Sequence, residues 1–176
     1  MTDDTLRYPI GRFTAPDALS AKARAALVDR LAALPAALRQ AVAGLDDAQL
    51  DTPYRDGGWT VRQVVAHVGD SHLNCVVRLL LALTEARPTI RPYDEGAWVE
   101  VMDRAALPLE SLLHFVDVVH ERLVAVARTV DDAAGARPWV HPDSGAHTVD
   151  GLLANYAWHG DHHVAHITRL RARHGW

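Results

Sequence analysis

Apolar positions recur along this chain at steps of three and four residues, and four segments keep that period long enough to predict helices. Leu27, Leu31, Leu34, Leu38 and Val42 form the first stripe, in a segment from about Pro16 to Ala43. Pro35 falls inside it, where a missing amide proton removes one main-chain hydrogen bond and is expected to kink the helix. The second segment opens at Thr60-Val61-Arg62-Gln63, a hydroxyl followed three residues on by Gln, the pattern of a capping box. It runs to about Glu85, and Pro88 stops it. The third follows Pro108 and reaches about Thr129 on a stripe of Leu112, Phe115, Val116, Val119, Leu123 and Val126. The fourth starts after Thr148 and ends near Arg173, ahead of Gly175.

Loops rich in proline and glycine separate these segments: Asp51 to Trp59, Arg87 to Trp98, and Ala136 to His147. The strand signal is weak, at most a short piece around Pro138 to Val140. There is no repeat, low-complexity stretch or linker. The pattern therefore predicts one all-α domain over residues 1–176, a four-helix bundle with loops of antiparallel length. Bundles of this kind build metal sites from side chains on facing helices.

Composition narrows the function. Apolar residues make up 49% of the 176, enough to bury a sizeable core. The net charge is -4 and no Lys/Arg cluster occurs, so a nucleic-acid footprint is not expected. The start, Met1 to Asp4, lacks the basic and apolar regions of a signal peptide. Charged and polar residues interrupt every apolar run well short of a membrane span of about 18 residues. These features point to the cytoplasm. Cys75, the only cysteine, sits among Val76, Val77, Leu79 and Leu80 and is expected to be a buried small hydrophobe.

The chemistry lies in the 11 histidines. The fourth segment reads His159-Gly160-Asp161-His162-His163-Val164-Ala165-His166. Two imidazoles four residues apart share one face of a helix and can grip one metal ion. Both His162/His166 and His159/His163 have that spacing. Asn155, His159, His162 and His166 recur in steps of four, three and four as one polar stripe, whereas His163 groups with Tyr156 and Ile167. On that ground His162 and His166 are the expected pair. His67 is the expected third ligand, because Val64, His67, Asp70, Ser71 and Asn74 give the second segment a polar face where a bundle helix is normally apolar. An uncompensated polar face is costly to bury, so it predicts a lined cavity. Three protein ligands with an open fourth position suit a catalytic metal rather than a closed structural one.

Other histidines carry less. His120 either lines the cavity or packs; His72 and His114 read as surface or boundary positions; His141 and His147 lie in a loop that either approaches the site or, the favoured reading, is solvated; His174 reads as solvated. Asp161 either orients a ligand histidine or is a surface charge, and the second is favoured. Arg91, Tyr93, Asp94 and Trp98 are candidates for the mouth of a polar site. The motif His162-His163-Val164-Ala165-His166 lacks the glutamate that helical zinc proteases use as general base. A bound ion lowers the pKa of water or thiol by itself, and thiol transfer asks less of the protein than amide hydrolysis.

Long motifs carry a family likeness. They include Tyr8-Pro9-Ile10-Gly11, the run from Leu50 to Val65, His67, Asp70-Ser71-His72, Asn74, Ile90 to Glu95 and Trp98. Towards the end come His141-Pro142-Asp143, Trp158-His159, His162-His163, Ala165-His166-Ile167-Thr168 and Gly175-Trp176. On these residues the chain resembles the YfiT family of the DinB-like superfamily over nearly its whole length. The resemblance implies a four-helix bundle, metal ligands at His67, His162 and His166, one zinc or nickel ion, and a homodimer. It also implies either transfer of a bacillithiol-like thiol to an electrophile or hydrolysis of a small substrate. A metal-binding stress protein without turnover is the third possibility. Gly160-Asp161 departs from the Ser-His expected there in relatives.

Overall fold

The computed structural model of the protein describes residues 3–16 and 18–176. In chain order the elements are α1 (Asp3–Arg7), α2 (Ala21–Val42), α3 (Asp47–Leu50), α4 (Val61–Thr84), α5 (Glu95–Ala105), α6 (Leu109–Ala127) and α7 (Asp132–Gly135). The hairpin β1 (Pro138–His141) and β2 (Gly145–Thr148) follows, then α8 (Val149–His174). The four long helices α2, α4, α6 and α8 are the four predicted segments. Their starts are set by side-chain caps. Ser20 accepts from the Ala23 amide, Thr60 and Gln63 form the capping box read from the sequence, and Thr148 accepts from the Gly151 amide. Ser20 explains why the first helix starts later than Pro16; residue 17, at that expected start, lies outside those described.

Besides the short helices α1, α3 and α7, the hairpin and α5 depart from expectation. The weak strand signal at Pro138 belongs to a hairpin in which Pro138 pairs with Thr148, and Gly145 supplies a positive φ at the turn. α5 occupies what read as loop and the residues beyond it. Its apolar signal is thin, since only Val99 is buried, and Gly96 in its first turn reads as a breaker. Asp94 caps it by accepting from the Ala97 amide at 2.9 Å.

The helix order is not that of sequential neighbours. α4 packs on α6, α6 on α2, α2 on α8 and α8 on α4, so α2 lies diagonal to α4. Contacts fix the directions. Arg24 meets Asp150 and Leu34 meets Gly160, so α2 and α8 run parallel. Gly69 meets Phe115 and His72 stacks on His120, so α4 and α6 run parallel. His67 meets His159 while Arg78 meets Tyr156, so α4 and α8 are antiparallel. Parallel neighbours need a long return, which is why the connection from Glu85 to Pro108 is long enough to carry α5.

α2 runs unbroken through Pro35. The imide leaves the carbonyl of Leu31, four residues back, without its helical donor. That carbonyl instead accepts from Nδ1–H of His120 at 2.8 Å. A buried imidazole on α6 thus repairs the defect that proline makes in α2.

The apolar core comes in two pieces. One gathers Val28, Leu31, Cys75, Leu79, Leu123 and Leu152. The other gathers Leu38, Val64, Val68, Leu112, Val116 and Ile167. Cys75 is fully buried, as its apolar neighbours led one to expect, and burial pushes its thiol pKa up. Between the two pieces lies a layer of histidines. At one end of the bundle Arg24 is buried with Asp150 in a paired contact of 2.6 and 3.1 Å, and also reaches Asp132 at 3.0 Å. A Cβ on Gly135 would fall 2.5 Å from the Asp150 carboxylate, so the missing side chain lets α7 close over the pair.

Removing one member of a buried pair leaves the other charge stranded. Asp150→Ala is therefore expected to cost about 3–5 kcal/mol of stability in urea unfolding. Asp161→Ala, which removes the partner of the half-exposed Arg30, should cost less than about 1 kcal/mol. Equal losses in the two variants would contradict this reading of the ion pairs.

Candidate metal centre

His67 projects from α4 towards α8, and there it meets His159 and His163. The Nε2 of His159 lies 3.2 Å from the Nε2 of His67 and 3.2 Å from the Nε2 of His163. Ligand atoms of these three residues all lie within 4.8 Å of one another, and they form the one such group of three among the described residues. Three nitrogens about 2.0–2.1 Å from a tetrahedral ion would stand roughly 3.3 Å apart. The donor set and its spacing therefore fit a metal ion.

The structure does not bring the expected His162 and His166 into a group with His67, and the reason lies in their own partners. His166 uses both ring nitrogens. Its Nε2–H donates to the carbonyl of Arg7 at 3.1 Å, and its Nδ1 faces Nδ1 of His163 at 3.4 Å. Its ring also stacks on Tyr54, with centroids 3.9 Å apart. His162 stacks on Trp158 at 4.5 Å. Both i,i+4 pairs exist, but the helix turns the other one inward. The signal that marks the inward-facing pair is apolar: Leu152, Tyr156, Ile167 and Leu170 mark the buried face of α8, and His159 and His163 continue that face. The polar stripe through Asn155 marked its edge instead.

The partners also fix where protons sit. A carbonyl can only accept, so His166 carries its proton on Nε2 and presents a bare Nδ1 to His163. His163 must then donate from Nδ1, which leaves the lone pair of its Nε2 facing His159 and His67. His159 uses its Nδ1 on Nε2 of His72 at 3.1 Å. His72, expected at the surface or its boundary, is instead fully buried, and its ring stacks on that of His120 at 4.7 Å. Its Nδ1 and Nε2 of His120 are buried without a partner. No periodicity marks His72 or His120 as more than packing, because their role depends on Pro35 of another helix. Asp161 pairs with Arg30 at 2.5 Å and is a half-exposed surface charge. His114 and His174 are exposed.

A cavity of about 260 Å³ opens beside two of the three, His67 and His159, and is walled also by Ser71, Tyr93, Asn155 and Tyr156. A second, of about 490 Å³, adjoins it beside Phe13, Trp139 and His147, and the two share Arg78, His141, Asn155 and Tyr156. The expected polar face of α4 thus does line a cavity, through His67 and Ser71. Of the loop from Arg91 to Trp98, Pro92, Tyr93 and Glu95 reach the cavity, Asp94 caps α5, and Trp98 packs on Tyr93 at 4.5 Å. His141, read as solvated, lines both chambers because the hairpin folds back over α8.

A four-helix bundle with an inward-facing histidine trio beside a small polar cavity defines the class to which this chain must be compared. The sequence pattern of the DinB superfamily matches residues 30–167, and the chain belongs to that superfamily. It is 45% identical to YfiT of Bacillus subtilis (strain 168), over 100% of this chain and 99% of that one. It is also 45% identical to a relative in Bacillus mycoides (strain KBAB4), over 97% and 98% of the two chains. Both relatives carry names that assign them, provisionally, to the metal-dependent hydrolases. The solved structure of Bacillus subtilis YfiT, described as an unusual four-helix bundle topology, superposes with a TM-score of 0.94 over 98% of this chain and 99% of that one. A second solved four-helix bundle, 26% identical, gives 0.53 over 87% of this chain and 99% of that one. Among the described residues no helix is long and apolar enough to cross a membrane.

Burial keeps the histidine layer neutral. It lowers His67 and His162 to about 4 and His166 to about 3 from the ordinary 6.5, and holds His72, His159 and His163 well below that value. Between pH 6.5 and about 4 the unfolded chain binds more protons than the folded one, so stability is complete above this window and falls as pH drops through it. The metal-free protein should therefore show a lower urea midpoint near pH 5 than near pH 7.5. Equal midpoints would mean that the imidazoles are solvated.

Proposed function

We propose that His67, His159 and His163 hold one divalent metal ion, zinc or nickel, through their Nε2 atoms. On this reading the protein is a cytoplasmic metal-dependent enzyme that joins a low-molecular-weight thiol to an electrophilic small molecule. The supporting observation is the trio itself: Nε2 of His159 lies 3.2 Å from Nε2 of both His67 and His163, ligand atoms of all three lie within 4.8 Å of one another, and His67 and His159 face a polar cavity. Three protein ligands with a free position are the pattern of catalytic sites. A divalent ion there supplies a Lewis acid that lowers the pKa of a thiol or water beside it, so a nucleophile forms near neutral pH without a protein base.

This chain's own residues fit that division of labour. In His159-Gly160-Asp161-His162-His163 a glycine stands where a helical zinc protease has its general-base glutamate. A side chain at Gly160 would collide with Leu34, so the position is closed to any base. The acids on the cavity wall, Glu95 and Asp143, are exposed at its rim. Tyr156 and Tyr93 have their phenol pKa values raised by burial and so keep their protons, ready to donate to a substrate oxygen or leaving group. Outside the trio, His72 and His166 orient His159 and His163, as hydrogen-bond partners of metal ligands commonly do. With the His159 proton on Nδ1, His72 becomes a donor at its own Nδ1 and stacks beside the bare acceptor of His120.

Hydrolysis of a small ester or amide is the second reading, favoured by the names of the relatives. A cobalt-substituted protein separates the two. Adding a cellular thiol should produce a sulfur-to-cobalt charge-transfer band, and the loaded enzyme should conjugate that thiol to a reactive electrophile. If no thiol perturbs the metal while an ester or amide is turned over, the hydrolytic reading takes its place. Elemental analysis should find one ion per chain, lost in His159→Ala and His163→Ala and kept in His162→Ala. His72→Ala should retain the site but weaken metal affinity by about 10–100-fold. Retention of full metal by His159→Ala would sink the assignment.

Assembly as a homodimer belongs to the same proposal. Leu73 and Val77 on α4, and Phe115 and Val118 on α6, are exposed on adjacent helices and suit cover by a second copy. Light scattering is expected to give about twice the chain mass of 19.3 kDa, and a monomer at every concentration tested would refute it.

A further inference from the structure

We propose that Arg78 is an anion-recognition residue, and that the substrate or its thiol partner carries a carboxylate which Arg78 takes while the reacting atom sits at the histidine trio. The inference rests on the reading above for the position of the reacting atom, but the anion subsite stands on its own observations.

The arginines of this bundle that ion-pair do so with specific carboxylates. Arg24 is held by Asp150 and Asp132, Arg39 by Glu110 and Asp117, Arg62 by Asp51 and Asp47, and Arg30 by Asp161. Arg137 and Arg171 donate to main-chain carbonyls at helix ends. Arg78 differs. Among the described residues no carboxylate lies within ion-pair distance of it, and its one hydrogen bond goes to a neutral group, the Tyr156 hydroxyl at 3.0 Å. Its Nε is buried with no hydrogen-bond partner, and the guanidinium carbon stands 6.0 Å from the centroid of the neutral Tyr93 ring. A guanidinium has five N–H donors in a planar fork that matches a carboxylate, and leaving such donors unmet away from water is costly.

Its position gives that unmet charge a purpose. His67, Ser71 and Arg78 follow at four- and seven-residue steps, so they lie on one face of α4. Arg78 borders both chambers, at the seam they share with His141, Asn155 and Tyr156. A small molecule entering from the larger chamber passes the guanidinium before it reaches His67 and His159. Asn155 offers an amide donor on the facing helix. Glu95 and Asp143 at the rim of the inner chamber repel highly charged anions, which favours a single carboxylate over a phosphate dianion.

The test follows the Nε–H resonance of Arg78 by proton–nitrogen correlation spectroscopy, with and without added zinc. Propionate should shift that resonance in both states, and neutral propionamide should not. Arg78→Gln should weaken propionate binding, read on the backbone amides of α4 and α8, by about tenfold or more. Arg78→Lys, which keeps the charge but loses the fork, should fall between. The metal-free arm separates the two claims: a shift there upholds the anion subsite even if zinc does not bind the trio, whereas zinc binding without any propionate shift overturns the subsite alone. Unchanged propionate affinity in Arg78→Gln would also overturn it, and inorganic phosphate binding as tightly as propionate would overturn the carboxylate assignment. If neither variant folds, the wild-type comparison of propionate with propionamide still decides.

Discussion

Everything in this protein is arranged around a layer of buried imidazoles that divides the apolar core in two. Burial of so many polar rings is tolerable only if each nitrogen has a partner or a purpose. The layer meets that demand in part, from its edges inwards, while Nδ1 of His72, Nε2 of His120 and Nδ1 of His162 stay buried without a hydrogen-bond partner. Main-chain carbonyls of Leu31 and Arg7 fix the protons of His120 and His166. Those rings stand beside His72 and His163, and Nε2 of His67, His159 and His163 converge between them. Neutral imidazoles with their protons on Nδ1 would turn lone pairs towards one another there, an arrangement that a cation would relieve, so the neutrality that burial imposes suits the site to metal.

Topology makes the layer possible. Had the chain simply gone up and down, α4 would have lain beside α2, and His67 would have faced leucines. The long crossover through α5 places α4 and α6 in parallel and leaves α4 antiparallel to α8, with its histidine turn level with that of α8. The carbonyl released by Pro35 then faces α6, where His120 takes it. A residue that reads as a helix breaker becomes one of the anchors of the polar layer.

Much of this was legible in the sequence. Apolar periodicity located all four long helices, and capping residues marked where two of them begin, because those signals are local. The polar face of α4 and the His67 position were legible for the same reason. Three things were not. Helix order depends on which faces meet, and no single helix records it. α5 buries one side chain and so has almost no period to read. The choice between two histidine pairs on α8 turned on which stripe counts as the inward one. Polar continuity suggested His162 and His166; the neighbouring Tyr156 and Ile167 held the better clue, since the core-facing stripe of a bundle helix is defined by its apolar members.

The two histidines left out of the trio then acquire a different meaning. His166 binds the carbonyl that ends α1, and His162 lies under Tyr8, with ring centroids 6.1 Å apart. Phe13 packs on Trp158 at 5.8 Å and reaches the wall of the larger chamber. The N-terminal segment has no amphipathic period of its own and few apolar residues to hold it in place. Its attachment to α8 runs through the histidines next in line behind His159 and His163. The imidazole whose Nδ1 meets His163 is therefore the same one whose Nε2 fastens α1, and through its two ring nitrogens the N-terminal segment at the cavity wall is coupled to the geometry of the trio.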